Sequence, residues 1–570
     1  MSPVQHVPEK FQMSKRKENN RIIMKNLLIK WKDRKLFWFM AAAVLLTTIG
    51  FYVNRYISIR ALYADDLYLW SYYGEDSFLK FTFPEHTKAN FRPVYWAVSY
   101  LWFKMIGYHV NWYSLFNTGL NVGIAWVLYL FGLRLTRGHQ GISIAIPSLF
   151  LISHLAYYQI GQVLGLMESM ALLFAISILW FLFEYIDDSL NTPKTVANGP
   201  GRGRRQQFLK DQSPEDCNYL GACFFFFLLI FTHERFIALT PLFYLALFSK
   251  PVQKSRKALL VKMILPLLEL GVFFAARVMV AGQAMPAGTA GTEVTDTFSL
   301  LQSIGYAFQQ VAYIFGMNAG PAYLSGVNIL ECPVWMILLV MIGAVLCVLM
   351  TVLYFSVCRQ NFRMDRRFWG INLLFIMFIG LCIGASSITV RLEMRWIYVS
   401  YTAALLFLGF MAGELRDMEE HKKGCKTEES RRIFRKYTPY LVFVLLFSVF
   451  AVTKLPVEKY YRSKLENVYF WTDLDRMNSL ADQTIGRYGR EMLGKRQVYI
   501  FYNTYKMTDF YAEYFFKPFD PEKTGQGTRI HFVQDLQDLP KNINSENCVI
   551  LFESEATRGY INVNDQFFAG

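Results

Sequence analysis

Two adjacent carboxylates, Asp65 and Asp66, follow the first long apolar run of the chain, Leu36 to Val53. A carboxylate beside apolar surface has a raised pKa and can accept the proton of a hydroxyl group, so the pair could supply a general base. Adjacent residues do not share a face of a helix or strand, which predicts different tasks for the two. One would point into a cavity while the other holds a backbone amide, a basic side chain or a metal. The alternative is that the pair only caps a helix that starts at Leu67, and the residues alone leave both interpretations open.

A second unusual segment is the run Phe91-Arg92-Pro93-Val94-Tyr95-Trp96. Proline suits the first turn of a helix, so the run predicts a helix over 94–107 with an aromatic face. Lys104 interrupts its apolar pattern, and the segment is short for a membrane span. We therefore expect an interfacial helix between the first and second spans. A true span here would invert every later loop.

The turn Thr232-His233-Glu234-Arg235 lies between two apolar runs. Ionisable groups at a membrane boundary are costly unless they are paired or functional. In the functional interpretation, His233 or Arg235 contacts the phosphate of a lipid substrate. In the other, Glu234 and Arg235 form a pair that only caps a hairpin.

Further candidates for phosphate binding are Arg391 and Arg395, which flank Glu393, and Arg277, near the outer end of another apolar run. The planar guanidinium fork donates two parallel, charge-assisted hydrogen bonds to an anion. Glu393 could instead neutralise the two arginines beside it. Glu168 is close enough to the same face of the membrane to line a cavity there.

The composition excludes a soluble, nucleic-acid-binding domain. The 570 residues are 54% hydrophobic, and 18% are charged, against about 25% charged in soluble domains. The net charge is +15, but the Lys and Arg clusters fall between apolar runs, where membrane topology places them. The eight cysteines show no metal-binding spacing, although Cys332 and Cys548 could both lie outside and form one disulfide.

The apolar runs predict about eleven transmembrane helices, each of about 17 to 25 residues. They fall near 36–53, 110–133, 141–157, 164–184, 218–232, 236–249, 261–281, 333–355, 369–387, 396–413 and 438–454. Every second loop is basic, which assigns those loops and the tail 1–35 to the cytoplasm. An odd number of spans then places the C-terminus outside.

The sequence therefore predicts a multi-span α-helical membrane protein with its N-terminus in and its C-terminus out. The membrane domain, 36–454, carries outer loops at 54–109 and 282–332, and the second contains an amphipathic helix or a pair of short re-entrant helices. The remainder, 455–570, is a small extracytoplasmic α/β domain with strands near 497–502 and 547–552. Its role is open.

The first span, the acidic pair, the Arg92-Pro93-Val94-Tyr95-Trp96 run and the glycine before the second span together resemble the GT-C glycosyltransferases. The similarity is greatest to the branch with the protein O-mannosyltransferases and the aminoarabinose transferase of lipid A. It covers roughly residues 36–250, and only the topology is similar thereafter.

The resemblance implies that an aspartate of the first outer loop is catalytic and that the donor is a sugar on a polyprenyl phosphate. Carried over, Asp65 becomes the preferred base and Asp66 the second choice. Members often carry Asp-Glu at this place, so the assignment between the two stays open. The turn at 232–235 is similar to the Lys-Glu turn that many of these enzymes place there.

The expected reaction is an inverting transfer of a hexosyl or pentosyl group at the outer face of the cell membrane, as in cell-envelope glycan assembly. Asp65 takes the proton of an acceptor hydroxyl, and the arginines, with His233, hold the departing polyprenyl phosphate. The acceptor is a glycan, lipid or protein; no cofactor is required, although a divalent metal could bind at Asp65. The alternatives are a polysaccharide polymerase or ligase and a flippase for lipid-linked glycans.

Overall fold

The structure is a computed structural model that describes residues 36–59, 61–62, 65–75, 77–84, 90–191, 214–249, 256–285, 298–361, 364–423, 438–464, 471–501, 515, 530–554, 556 and 559–569. Over these residues the protein is a bundle of apolar helices followed by a small four-stranded sheet. The predicted cytoplasmic tail, 1–35, lies outside them.

Helices account for most of the described membrane domain. The first half contains α1 (Leu36–Asn54), α2 (Asp65–Glu75), α3 (Phe78–Thr82), α4 (Pro93–Ile106), α5 (Val110–Leu135), α6 (Gln140–Ile152), α7 (His154–Ile160), α8 (Gly165–Asn191), α9 (Pro214–Ile230) and α10 (Pro241–Phe248). The second half contains α11 (Arg256–Ala281), α12 (Leu300–Phe315), α13 (Ala322–Ser325), α14 (Val334–Gln360), α15 (Arg366–Ser387), α16 (Tyr398–Lys423) and α17 (Pro439–Arg462). Short 3₁₀ helices at Glu234–Leu239 and Met394–Ile397 precede α10 and α16.

Each of the eleven predicted spans coincides with helix. Among the described residues, eight helices are long and apolar enough to cross a membrane, and the α6–α7 pair, bent by 53°, would make a ninth. The segments predicted at 218–232 and 236–249 form the shorter α9 and a 3₁₀ helix followed by α10. The multi-span helical architecture is confirmed, whereas the count of about eleven and the in–out orientation remain predictions.

The break between α6 and α7 arises at Ser153, whose backbone is extended at φ −66° and ψ 146°. Its hydroxyl accepts a hydrogen bond from the amide of Ala156 and so caps the new helix. The chain therefore turns sharply and re-enters the bundle as α7.

In α11, the imino nitrogen of Pro266 cannot donate to the carbonyl one turn earlier. Two tyrosines from neighbouring helices satisfy carbonyls at this place: Tyr219 donates to the oxygen of Lys262 at 2.8 Å and Tyr244 to that of Met263 at 2.9 Å. The two bonds fix the side on which α9 and α10 pack against α11.

In its described residues, the segment 282–332, predicted as the second outer loop, contains an amphipathic helix of 16 residues, α12, followed by the four-residue α13. Leu301 and Phe308 are exposed on one face of α12, whereas Gln310 is buried on the other. Gln310 donates to the hydroxyl of Ser387 and accepts from that of Ser386, both at the end of α15. The amphipathic helix expected from the sequence is present; its place in the membrane interface remains a prediction.

The C-terminal unit is a mixed sheet with the strand order β2-β1-β3-β4. Its strands are β1 (Gln497–Phe501), β2 (Ile530–Val533), β3 (Cys548–Ser554) and β4 (Gly559–Asn562), with α18 (Trp471–Ala481), α19 (Arg487–Leu493) and α20 (Asn564–Phe568). β1 pairs in parallel with β2 and β3, and β4 closes the edge antiparallel to β3. The two predicted strands and the small α/β unit are confirmed.

The helix before this unit, α17, continues to Arg462, past the boundary predicted at 455. Cys332 and Cys548, which could have formed a disulfide, are free thiols.

An ion-pair network joins four helices at the end of the bundle where α5, α8 and α16 finish and α15 begins. Arg367 reaches Asp187 at 2.6 Å and Glu414 at 2.9 Å, and both carboxylates are buried. Arg134 pairs with the same Asp187, and Arg137 pairs with the same Glu414. Every arginine named here has an acidic partner.

We expect Arg367→Gln to destabilise the protein by about 3–5 kcal/mol, because it leaves buried carboxylates without their main counter-ion. The measurement is the apparent free energy of unfolding in detergent. Glu420→Gln is the matched control, since Glu420 forms an exposed pair with Arg416 and its loss should cost about 0.5 kcal/mol or less. Equal effects of the two substitutions would contradict a structural role for the network.

Candidate active site

The two adjacent carboxylates stand at the first turn of α2 in different surroundings. Asp66 is 6% exposed and accepts hydrogen bonds from the amides of Val163 and Leu164 at 2.8 and 2.7 Å, one on each oxygen. Asp65 is exposed. Asp66 therefore attaches α2 to the corner between α7 and α8, while Asp65 is left at the surface of the site.

The α7–α8 corner is tightly constrained. A Cβ atom at Gly165 would lie 1.8 Å from the carbonyl oxygen of Gln159, so only glycine fits at the start of α8. The side-chain amide of Asn117, in α5, donates to the oxygen of Gln162 at 2.9 Å. These contacts fix the two amides that Asp66 binds.

Burial raises the pKa of Asp66 to about 7, and the nearby Asp65 charge acts in the same direction. The two amide bonds and the charge of Arg395 oppose this shift in part. Asp66 therefore changes its charge near neutral pH.

Arg92 precedes α4, which is docked by two backbone contacts to the turn at 231–234. The amide of Phe91 donates to Glu234 at 2.9 Å, and that of Val94 donates to the oxygen of Phe231 at 3.1 Å. The Arg92 side chain touches the sulfur of Met167 at 3.3 Å, and its Nε is buried without a hydrogen-bond partner. Within the described part of the chain it forms no ion pair.

Glu234 and Arg277 form a buried ion pair. Arg277 is fully buried and also donates to the carbonyl oxygen of Met285, at 3.1 Å from Nε and 2.7 Å from Nη2. These bonds tie α11 to the turn that supports α4. The geometry favours a structural role for Arg277, in place of the phosphate contact expected from the sequence.

The other side chains of this turn face Glu168 of α8. Arg235 forms an ion pair with Glu168, and its other terminal nitrogen, Nη1, is buried and has no hydrogen-bond partner among the described residues. His233 Nε2 lies 3.7 Å from Glu168 Oε1. Burial and the surrounding arginines lower the pKa of His233 well below its usual range, so its imidazole is neutral and can donate a hydrogen bond but adds no charge.

Glu393 bridges the two arginines of its turn, at 2.9 Å from Arg391 and 2.5 Å from Arg395. Neutralisation by Glu393, one of the two interpretations of the sequence, therefore occurs in part. Arg395 is mostly buried and interacts electrostatically with Asp65 and Asp66, whereas the Arg391 side chain is 41% exposed.

These contacts bring side chains that are far apart in sequence together in one polar cluster. We call it the outer cluster; its members are Asp65, Asp66, Arg92, Glu168, His233, Glu234, Arg235, Glu393 and Arg395. Arg391 lies at its exposed edge and Arg277 behind Glu234.

Sequence reasoning missed two parts of this cluster. Tyr158 of α7 lies within electrostatic reach of Arg395 and Asp65, and the amides of Val163 and Leu164 hold Asp66. Tyr158 stands in an aromatic, apolar stretch, and the amides belong to apolar residues, so no sequence motif marks them.

The metal considered at Asp65 finds no ligand set here. No group of three His, Cys, Asp or Glu side chains that could hold a metal ion occurs among the described residues. Both oxygens of Asp66 are already engaged by amides.

Comparison with known proteins adds a likeness of fold. No protein-family model matches the chain. No curated protein sequence matches it either. Among solved structures it resembles the oligosaccharyltransferase AglB of Archaeoglobus fulgidus with an inhibitory peptide and a dolichol-phosphate, at a TM-score of 0.45 and 10% identity over 85% of this chain and 64% of that one. It also resembles an Archaeoglobus fulgidus oligosaccharyltransferase in its apo form, at 0.46 and 9% over 88% and 65% of the two chains.

A third structure, of the same enzyme tethered to an acceptor peptide, matches at 0.43 and 10% identity over 88% and 64% of the two chains. Our chain thus spans slightly less than two thirds of the length of each. At this level of similarity the likeness assigns no activity, donor or acceptor, and we draw the function from the chain's own residues.

We expect the stability of the protein to fall between pH 5 and pH 8 more steeply in the wild type than in Asp66→Asn. The folded state raises the pKa of Asp66 to about 7, so its contribution is full below the pKa of an unfolded aspartate, about 4, and is lost as the pH rises towards 7. The measurement is the apparent melting temperature in detergent against pH. Parallel curves for the two proteins would show that Asp66 does not titrate in this range.

Proposed function

We propose that the protein is a membrane glycosyltransferase that moves a sugar from a polyprenyl-phosphate donor to an acceptor hydroxyl at the outer cluster. Asp65 serves as the general base. Arg92, Arg235 and Arg395 hold the phosphate that leaves. Asp66 positions the site without touching the reacting atoms.

The observation that carries the proposal is an excess of hydrogen-bond donors at one end of the bundle. In the ion-pair network at the other end, Arg134, Arg137 and Arg367 all reach carboxylates. In the outer cluster, Arg92 forms no ion pair within the described residues, and buried nitrogens of Arg92 and Arg235 have no acceptor. Buried donors are almost always hydrogen-bonded in native proteins, so these nitrogens indicate an anionic ligand.

The position of the cluster favours a donor anchored in lipid. α8, α15 and α16, which carry or precede its residues, are long enough to cross a membrane, and the cluster lies at one end of each. A polyprenyl phosphate could therefore place its headgroup among the arginines while its chain stays between apolar helices. Arginine suits this task because its fork matches the phosphate oxygens.

The proposed reaction is a single displacement at the anomeric carbon. Asp65 takes the proton from the acceptor hydroxyl, and the oxygen forms a bond to the anomeric carbon from the side opposite the phosphate. The bond between that carbon and the phosphate oxygen breaks, and the electron pair leaves with the polyprenyl phosphate. Arginine side chains stabilise the charge as it develops on the phosphate, and the configuration at the sugar is inverted.

A polysaccharide polymerase or ligase would use the same carboxylate and arginines and would differ in the size of the transferred glycan. A flippase would instead require ionisable groups near the middle of the membrane. Glu269, halfway along α11, is such a group, and its Oε2 is buried without a hydrogen-bond partner among the described residues. Transport that survives Asp65→Asn and is lost in Glu269→Gln would favour the flippase.

The decisive comparison for the proposed reaction is Asp65→Asn against wild type. We expect about a 10²–10⁴-fold loss of kcat without a change in stability, because an exposed general base is removed. The measurement is release of polyprenyl phosphate from a pool of polyprenyl-phosphate sugars in detergent. Glu331→Gln, an exposed carboxylate elsewhere in the outer loops, is the matched control.

Full activity of Asp65→Asn would end the assignment of Asp65 as base. If Asp66→Asn alone abolished turnover while remaining as stable as the wild type, the two aspartates would have to exchange roles. Absence of donor consumption by the wild type would contradict the proposed reaction itself.

Arg92 and Arg277 should respond in opposite ways to loss of charge. Arg92→Gln should weaken donor binding and leave stability nearly unchanged, because Arg92 has no ion-pair partner among the described residues. Arg277→Gln should cost about 3–5 kcal/mol of stability, because it strands the buried Glu234. Donor KM and the apparent melting temperature, measured for both variants, separate the two roles, and a reversed pattern would refute the assignment.

A further inference from the structure

A second buried group of ionisable residues lies where α17 crosses the break between α6 and α7. The carboxylate of Glu458, in α17, accepts a hydrogen bond from the backbone amide of His154 and lies 3.0 Å from its Nδ1. The side chains of His154 and Glu458 are 2% and 4% exposed. One carboxylate thus holds both the backbone and the ring of the first residue of α7.

Two further side chains of α17, Tyr461 and Lys454, lie beside this contact. The ring of Tyr461 stacks on His154 at 3.9 Å, and its hydroxyl donates to the oxygen of Gly316. Lys454 donates to the oxygen of Phe315 at 2.8 Å. Ionisable groups inside a membrane domain are rare and mostly functional, and a buried ion pair is by itself weak evidence of stability.

Helix α7 connects this contact to the candidate active site. It runs only from His154 to Ile160, and three residues later the chain presents the amides of Val163 and Leu164 to Asp66. Its middle is held by Asn121 of α5, which donates to the oxygen of Ala156 at 3.3 Å.

We infer that Glu458 is a positioning residue for the site: by fixing the first residue of α7, it sets the place of the two amides that hold Asp66. The route is contiguous, from Glu458 through His154 and one short helix to Val163 and Leu164. Its catalytic consequence rests on the proposed function, whereas its structural consequence does not. A displacement of about 1 Å in a site can cost about 10²-fold in rate, so a remote residue of this kind has a measurable effect.

The first test is local hydrogen exchange in the full-length protein in detergent. In Glu458→Gln, amides of residues 154–167 should exchange about tenfold faster or more, because the start of α7 is released, whereas those of α5, and of α8 after residue 167, stay within about twofold of wild type. Glu184→Gln, which removes a carboxylate from the opposite end of α8, is the matched control and should leave 154–167 unchanged. Uniform acceleration along the chain, or none at 154–167, would overturn the inference.

The second test is a double-mutant cycle on kcat for release of polyprenyl phosphate. Glu458→Gln should lower kcat about tenfold with little change in donor KM, and should add no further loss in an Asp66→Asn background, because both changes act on one contact. Multiplicative losses would show that Glu458 does not act through Asp66.

If Glu458→Gln does not fold, His154→Asn replaces it, since the Glu458 carboxylate and the backbone bond to it are kept. A smaller acceleration of exchange at 154–167 is then expected, and its absence would overturn the inference. If the wild type consumes no donor, the proposed function fails, and the exchange experiment still decides whether Glu458 controls the corner.

Discussion

The contact on which the site depends is the pair of hydrogen bonds from Val163 and Leu164 to Asp66. It fastens α2 to the corner between α7 and α8. With both oxygens of Asp66 engaged, the next residue in the chain, Asp65, is turned outward. Two consecutive aspartates thus have different roles. Asp66 holds backbone amides, and Asp65 faces the site.

The two ends of the bundle differ in how they satisfy their arginines. At one end, Arg367 and its neighbours meet carboxylates, and the charges cancel within the protein. At the other, Glu168 and Glu393 restrain Arg235 and Arg395 without using all of their donors, and Arg92 is left to a neutral sulfur contact. The difference is one of geometry, because both ends contain similar residue types.

The local pattern of apolar, proline and β-branched residues was enough to predict the helices and strands. Long apolar runs gave the helical spans, Pro93 gave the start of α4, and the β-rich runs gave β1 and β3. The sequence could not show that Arg277 pairs with Glu234, that Asp66 meets amides 97 residues away, or that Ser153 breaks a span, since helix packing decides these. The chemistry that a residue type can perform is readable in a sequence; its partner is not.

The arginines of the ion-pair network also matter before the helices have packed together. Positive charges in loops bias which side of the membrane a loop stays on while a chain is inserted, and Arg134 and Arg137 carry such charges. Once α8 and α16 have assembled, Asp187 and Glu414 take up the same charges. The same arginines can therefore act first on the orientation of the chain in the membrane and later on the packing of its helices. A substitution there would disturb the direction of insertion and the finished packing through separate mechanisms, at separate stages in the life of the protein.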